Sequence, residues 1–115
     1  MWAEKGVNLD SAQKLIEIAL KEDPENGAYL DSYGWVMFKR GRLDDAESYL
    51  RKAMQHMGND PVVLEHLGDV LADAGRPEDA LNFYRKSLDN GSDNSLVIMA
   101  RVKQLEGKLS TEEKR

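Results

Sequence analysis

Four neighbouring side chains in the middle of the sequence could bind a metal ion. Glu65, His66, Asp69 and Asp73 combine carboxylates with an imidazole, and their spacing places them near one face of a helix. Oxygen and nitrogen ligands of this kind suit divalent cations. The same pattern is typical of a solvated acidic helix face, which is the simpler interpretation. We therefore predict no metal site at these residues.

Side chains suited to catalysis or to cofactor binding do not form a recognisable pattern. His56 and His66 lie in different predicted helices, no serine motif accompanies them, and the sequence contains no cysteine. A glycine-rich phosphate loop is absent. The polar segment 89–94 lacks the alternating ligands and the bidentate glutamate of a calcium loop. We predict a protein that is not an enzyme and that needs no cofactor.

Composition and charge exclude several further classes of protein. The chain has 16 Lys and Arg side chains against 21 Asp and Glu, a net charge of -5. Proteins that bind the phosphate backbone normally have a basic face, so we predict no nucleic-acid partner. No apolar run approaches the roughly 18 residues of a membrane span. The length of 115 residues corresponds to one domain.

The elements that carry these side chains repeat along the chain. Residues 27–60 align with residues 61–94 without a gap, so each position has a counterpart 34 positions later. The identical pairs fall mainly on apolar and small residues, as expected if both segments pack in the same way. They include Leu30 and Leu64, Gly34 and Gly68, Val36 and Val70, Gly41 and Gly75, and Ala46 and Ala80.

Each repeat has the pattern of two helices separated by a glycine. The apolar and small residues of the first repeat form two stripes with helical spacing, one before Gly41 and one after it. Glycine at this position is typical of a helix end, and the short loop favours antiparallel packing of the two helices. The first stripe consists of Leu30, Tyr33, Gly34 and Met37, and the second of Ala46, Leu50 and Ala53.

This pattern resembles the tetratricopeptide repeat in its period and in most of its signature positions. The family's proline position departs from the pattern, because it holds Gly58 and Ser92. Several stretches are also similar to the C-terminal repeats of long bacterial tetratricopeptide proteins. The resemblance implies an all-α fold, an α-solenoid of antiparallel helix pairs with about six helices. The signature positions of the second repeat hold Leu64, Leu67, Gly68, Leu71, Ala80, Tyr84 and Ser87.

The repeat frame also divides the rest of the chain. Residues 1–26 are expected to be the remnant of a truncated repeat, in which Ser11–Glu22 forms a second helix and Trp2 takes the aromatic position of a lost first helix. Residues 95–109 are expected to form a capping helix, in which Arg101 replaces an apolar residue. Residues 110–115 are expected to be a frayed polar tail. This organisation predicts a single domain taken from a longer array.

The resemblance implies a binding site as well. Tetratricopeptide proteins bind extended peptides or helices on the concave groove formed by their first helices. A rotation of 100° per residue directs one row of side chains on each first helix away from the core of its own repeat. Trp35 would anchor a partner or, alternatively, pack against a neighbouring first helix, and Phe38 is expected to be half-buried. The predicted partner-binding set is Asp31, Trp35, Phe38, Lys39, Glu65, His66, Asp69 and Asp73.

The charge of this set indicates the kind of partner. Its carboxylates outnumber its basic groups, so the predicted ligand is a neutral or basic protein or peptide. Chaperone-binding members of the family clamp a terminal carboxylate with basic and amide side chains, and Asp31, Trp35, Val62 and His66 at those positions cannot do so.

The predicted function is a non-catalytic protein–protein interaction module within a larger scaffold. The alternative is a structural C-terminal cap or self-association segment of a longer array, with the ligand site upstream. Apolar residues of the segment 11–22 would then support a weak homodimer through the N-terminal end.

Overall fold

The structure, a computed structural model, describes residues 8–113, and this part of the chain contains helices and no strand. The helices are α1 (Leu9–Glu22), α2 (Gly27–Lys39), α3 (Leu43–Met57), α4 (Pro61–Asp73), α5 (Pro77–Asp89) and α6 (Ser95–Glu113). The prediction of an all-α fold with about six helices is confirmed. No helix within residues 8–113 has the length and apolar character that crossing a membrane requires.

The helices group into two compact units. The first unit contains α1, α2 and α3 and extends to Gly58, and the second begins at Asn59 and contains α4, α5 and α6. The helix predicted over Ser11–Glu22 begins slightly earlier, at Leu9, whose side chain is buried. The position predicted for Trp2 lies outside the described residues.

Helix α6 is longer than predicted. The sequence suggested a helix over 95–109 with a frayed tail after it, but residues 110–113 continue the helix. The segment after Gly107 contains neither glycine nor proline, so nothing in it interrupts the backbone ladder. The Thr111 hydroxyl donates a hydrogen bond to the Gly107 carbonyl at 2.9 Å, within the same helix.

Polar caps and glycines set the helix boundaries. The Asn26 side chain accepts a hydrogen bond from the Tyr29 amide at 3.0 Å, and the Asp60 side chain accepts from the Val62 amide at 2.9 Å. These caps satisfy amides that have no partner within the helix. Gly41 and Gly75 follow α2 and α4 with φ values of 78° and 76°, a left-handed conformation that side chains disfavour.

The first unit is built on an antiparallel pair, α2 and α3. Leu30, Met37 and Leu50 are buried at its centre. A Cβ atom at Gly34 would lie 2.8 Å from Leu50 Cγ, so the glycine allows the two helices to approach closely. Helix α1 joins this pair through the Tyr33 hydroxyl, which donates to Glu17 at 2.8 Å.

The second unit repeats this arrangement in α4 and α5. The Ser87 hydroxyl donates to the Pro61 carbonyl at 2.7 Å and so joins the start of α4 to the end of α5. At Gly68 the approach is closer still, because an added Cβ would lie 2.5 Å from Cε1 of Tyr84. Helix α6 completes the core with Ile98. The buried core cluster there consists of Leu71, Ala80, Tyr84 and Ile98, with Ala72, Phe83, Leu88, Val102 and Leu105 packed against it.

Candidate partner-binding surface

The predicted site residues of α2 form an aromatic and charged cluster, which we call the α2 face. It consists of Asp31, Trp35, Phe38 and Lys39. The Trp35 and Phe38 rings have centroids 4.9 Å apart and planes inclined by 33°. The Lys39 ammonium lies 5.0 Å from the centre of the Trp35 ring, within the range of a cation–π contact. Spacings of three and four residues on one helix bring these side chains together.

The four side chains of the α2 face differ in how much of their surface is exposed. Trp35, Phe38 and Asp31 are half-buried, whereas Lys39 is exposed. Trp35 was predicted either to anchor a partner or to pack against a neighbouring first helix, and the structure leaves part of the indole accessible. The surface therefore presents part of an aromatic pair with a cation beside it.

The four predicted site residues of α4, here called the α4 face, do not form one open surface. They are Glu65, His66, Asp69 and Asp73, of which Asp73 is exposed, Glu65 and His66 are half-buried, and Asp69 is buried. The part of the chain that the structure describes holds no group of three or more His, Cys, Asp or Glu side chains placed to bind a metal ion.

The structure corrects the direction predicted for Asp69. Helical rotation directed this side chain away from the core of its own repeat, but its Oδ1 accepts a hydrogen bond from the Tyr84 hydroxyl of α5 at 2.5 Å. The physical reason is Gly68, whose missing side chain lets the Tyr84 ring lie against α4 and brings its hydroxyl to the neighbouring carboxylate.

Helix α6 supplies the other partners of the α4 face. Arg101 Nη1 donates to Asp69 Oδ1 at 2.7 Å and approaches Glu65 Oε2 at 3.4 Å. The Asn94 amide donates to the same Glu65 oxygen at 2.9 Å. Two of the carboxylates that were predicted to face a partner are thus engaged within the unit. Two features of the sequence could have predicted this contact. Arg101 is a basic residue in the apolar stripe of α6, and Glu65 and Asp69 are carboxylates one turn apart on α4.

The environment of the buried pair changes its acid–base properties. Burial raises the pKa of the Asp69 carboxyl above its ordinary value, and the hydrogen bond from Tyr84 and the charge of Arg101 offset part of this rise. Burial also raises the pKa of the Tyr84 hydroxyl, and its hydrogen bond to Asp69 acts in the same direction.

In the first unit a groove of about 500 Å³ lies among α1, α2 and α3. Its floor includes Tyr33 and Tyr49, whose rings meet edge to face at 4.6 Å between centroids. On α1, Ile18 at the groove and Leu15 beside it are 59% and 66% exposed. The walls are formed by Lys14, Glu17, Ile18, Leu20 and Lys21.

Family models identify the helical repeat. Two models described as tetratricopeptide repeat match the chain, one over residues 37–103 and the other over residues 8–61. The chain belongs to the tetratricopeptide repeat family. No curated protein sequence matches it significantly.

Solved structures of tetratricopeptide domains are similar to this chain in fold. The Sgt2 domain from Aspergillus fumigatus superposes with a TM-score of 0.87 at 18% identity, covering 98% of this chain and 76% of that one. The Arabidopsis OM64 domain superposes with a TM-score of 0.80 at 20% identity, covering 90% of this chain and 84% of that one. The Yersinia enterocolitica type III secretion chaperone SycD, in complex with a peptide of the translocator YopD, gives 0.81 at 13% identity, covering 91% and 85%. These matches confirm the predicted α-solenoid fold class.

The tetratricopeptide frame reveals two surface residues that the sequence analysis missed. Ile98 in α6 lies 34 positions after Leu64 and, like it, is fully buried. Helix α6 therefore has the register of a further first helix. In this register Leu96 and Met99 lie on the side of α6 that faces away from the core, and both are exposed. The assignment of α6 as a cap had removed them from consideration, although the period of the repeat includes them.

Tyr33 offers a test of the α1–α2 contact by alkaline titration. Burial, followed by the hydrogen bond to Glu17, raises the pKa of Tyr33 from 10.0 to about 12. Because the folded value is the higher one, the stability that this hydroxyl contributes is present below pH 10 and is lost as the pH rises towards about 12. The difference in tyrosinate absorbance between the wild type and Tyr33→Phe should therefore be centred near pH 12, with circular dichroism confirming the fold. A midpoint near pH 10 would show that the hydroxyl is solvated.

Proposed function

We propose that this chain is a non-catalytic protein–protein interaction module that binds a segment of a partner protein on the α2 face. The observation that carries this proposal is the α2 face, where Trp35 and Phe38 are stacked and partly accessible and Lys39 lies over the indole. Aromatic side chains provide large contact areas at interfaces and are enriched among the residues that dominate binding energy.

The side chains of the α2 face support one another through direct contacts. The two rings contact each other, and the Lys39 ammonium lies over one of them. A partner that binds here has little side-chain freedom to remove, and smaller ordering costs favour binding. The part of the indole that remains accessible suits an apolar side chain of the incoming segment.

The net charge of the chain favours a neutral or basic partner. The chain as a whole carries a charge of -5. Among the predicted site residues Asp73 is exposed, whereas Glu65 and Asp69 are engaged with Arg101. We therefore propose that apolar contacts at Trp35 supply most of the affinity and that the negative net charge of the chain selects against acidic segments. A structural relative, SycD, was solved with a peptide of another protein, which is consistent with peptide binding by this fold.

A second candidate function is self-association or structural capping. It is favoured by the exposed Leu15 and Ile18 on α1, because large exposed apolar side chains often lie at interfaces. In that case a second copy of the chain would cover α1 in a weak homodimer, and the α2 face would not bind a partner.

Replacement of Trp35 by alanine tests the proposed function. Peptides selected from a random library on the wild-type chain should bind Trp35→Ala with a free energy weaker by about 2 kcal/mol, roughly a 30-fold loss of affinity, as for an interface hot spot. Isothermal titration measures the affinities. Tyr49→Ala is the matched control, because it also removes a half-buried aromatic ring from the first unit but lies on α3, away from the α2 face.

The outcome separates the two candidate functions. Loss of binding in Trp35→Ala together with retained binding in Tyr49→Ala supports the interaction module. Equal affinity of the wild type and Trp35→Ala would reject the α2 face as the binding site and favour capping or self-association. Circular dichroism of both variants verifies that the helices remain folded.

A further inference from the structure

Helix α6 has a small apolar contact with the α4–α5 hairpin. Over residues 95–111 Ile98 is the one buried side chain, and the apolar side chains of Val102, Leu105 and Leu109 are half-buried. On the other side of the helix Leu96 is 80% exposed and Met99 is largely exposed as well. Because only one side chain of α6 is fully buried, polar contacts with the hairpin also contribute to holding the helix in place.

The additional contact is ionic and lies at a protected position. Arg101 Nη1 is 2.7 Å from Asp69 Oδ1 and 3.4 Å from Glu65 Oε2. The side chains of Asp69 and Glu65 are only 10% and 13% exposed, so water screens this interaction less than it would on an open surface. The Tyr84 hydroxyl donates a hydrogen bond to the same Asp69 oxygen, at 2.5 Å. Asp69 therefore connects α4, α5 and α6.

A second ion pair between α5 and α6 provides an internal comparison. Arg85 Nη2 lies 2.7 Å from Glu106 Oε2, and each of these side chains is 51% exposed. Exposed pairs of this kind contribute little to stability, because water and salt screen them and their side chains lose freedom. The two pairs have the same length and join α6 to the same hairpin, but they differ in burial.

The repeat register places Arg101 where an apolar side chain is expected. The residue 34 positions earlier is Leu67, which is fully buried in the α4–α5 hairpin. In α6 the guanidinium at this position is directed to the carboxylates of α4 instead of to an apolar core. The ion pair with α4 therefore lies on the side of α6 that faces the hairpin.

We propose that Arg101 is an electrostatic latch: when its guanidinium leaves Asp69 and Glu65, α6 opens as a unit while the α4–α5 hairpin remains folded. In the closed form α6 occupies two carboxylates of the α4 face and covers Leu71 and Tyr84. In the open form these groups become accessible, so the latch regulates access to the α4 face. This last consequence rests on the proposed function, whereas the opening itself does not.

Hydrogen–deuterium exchange on the full chain without any partner tests the latch. In Arg101→Met, amides of α6 should exchange at least about tenfold faster than in the wild type, while those of α4 and α5 change by less than about twofold, as expected for opening of one local unit. Arg85→Met is the matched control and should change exchange by less than about twofold throughout. Arg101→Lys, which keeps the charge, should restore a large part of the protection of α6.

Salt dependence provides a readout that apolar packing alone would not change. Raising the salt concentration from about 0.05 M to about 1 M should accelerate exchange in α6 of the wild type and leave Arg101→Met unaffected, because salt screens the ion pair. The proposal is overturned if α6 keeps its protection in Arg101→Met, if α4 and α5 lose protection to the same extent as α6, or if Arg85→Met has an equal effect. Because no partner is present, these outcomes do not depend on whether the chain binds one.

Discussion

Replacing Leu67 with alanine is expected to lower the free energy of unfolding by about 2–5 kcal/mol, the range found for large-to-small substitutions in well-packed cores. Leu67 is fully buried in the middle of α4. Its removal takes away apolar contacts and leaves a space that the surrounding helices can fill only in part. Chemical denaturation followed by helical circular dichroism measures this loss.

Leu96→Ala is the control for this experiment. It removes the same atoms from a helical position where the side chain is 80% exposed, so the change should stay within about 0.5 kcal/mol. A loss below about 0.5 kcal/mol for Leu67→Ala would contradict the core assignment of this residue. A strand-rich spectrum of the wild-type protein would contradict the repeat fold itself.

Gly68→Ala is expected to destabilise the protein by about 1–3 kcal/mol, although alanine is the better helix former by about 1 kcal/mol. The added Cβ would lie 2.5 Å from Cε1 and 2.6 Å from Cδ1 of Tyr84, well inside contact distance. The ring cannot move away freely, because Tyr84 is buried and its hydroxyl is bound to Asp69 at 2.5 Å. The steric cost therefore exceeds the gain in helix propensity.

Gly107→Ala provides the opposite expectation with the same chemical change. Gly107 lies inside α6, and a Cβ atom there meets no atom within 4 Å. Without a clash only the difference in helix propensity remains, so the free energy of unfolding of this variant should rise by up to about 1 kcal/mol. Chemical denaturation of both variants under the same conditions shows whether each substitution raises or lowers the free energy of unfolding. A stabilised Gly68→Ala would show that α4 and α5 are farther apart than the structure places them.

The fold could be predicted because residues of the same type recur at a fixed period along the chain. The 34-residue spacing of glycine, alanine and leucine located α2 to α5. The end of α6 was missed because polar composition was taken as evidence of fraying. Polar residues such as lysine and glutamate are good helix formers, so composition alone does not end a helix.

The α2 and α4 faces differ in how much could be predicted. Spacing along one helix was enough to bring Trp35, Phe38 and Lys39 together, because neighbours at three and four positions share a helix surface. The burial of Asp69 could not be derived in this way. Rotation about one helix axis gives a direction only, whereas burial depends on what Tyr84 and Arg101 bring from other helices.

The short glycine-containing turns after α2 and α4 have a consequence for how the chain folds. Each turn joins two helices that pack directly against each other, so the main contacts of each unit form between residues that are near in sequence. Little chain entropy is lost in closing such loops. Helical proteins dominated by local contacts fold in microseconds to milliseconds. Each hairpin can thus form early from its own segment, and the search for the native topology is short.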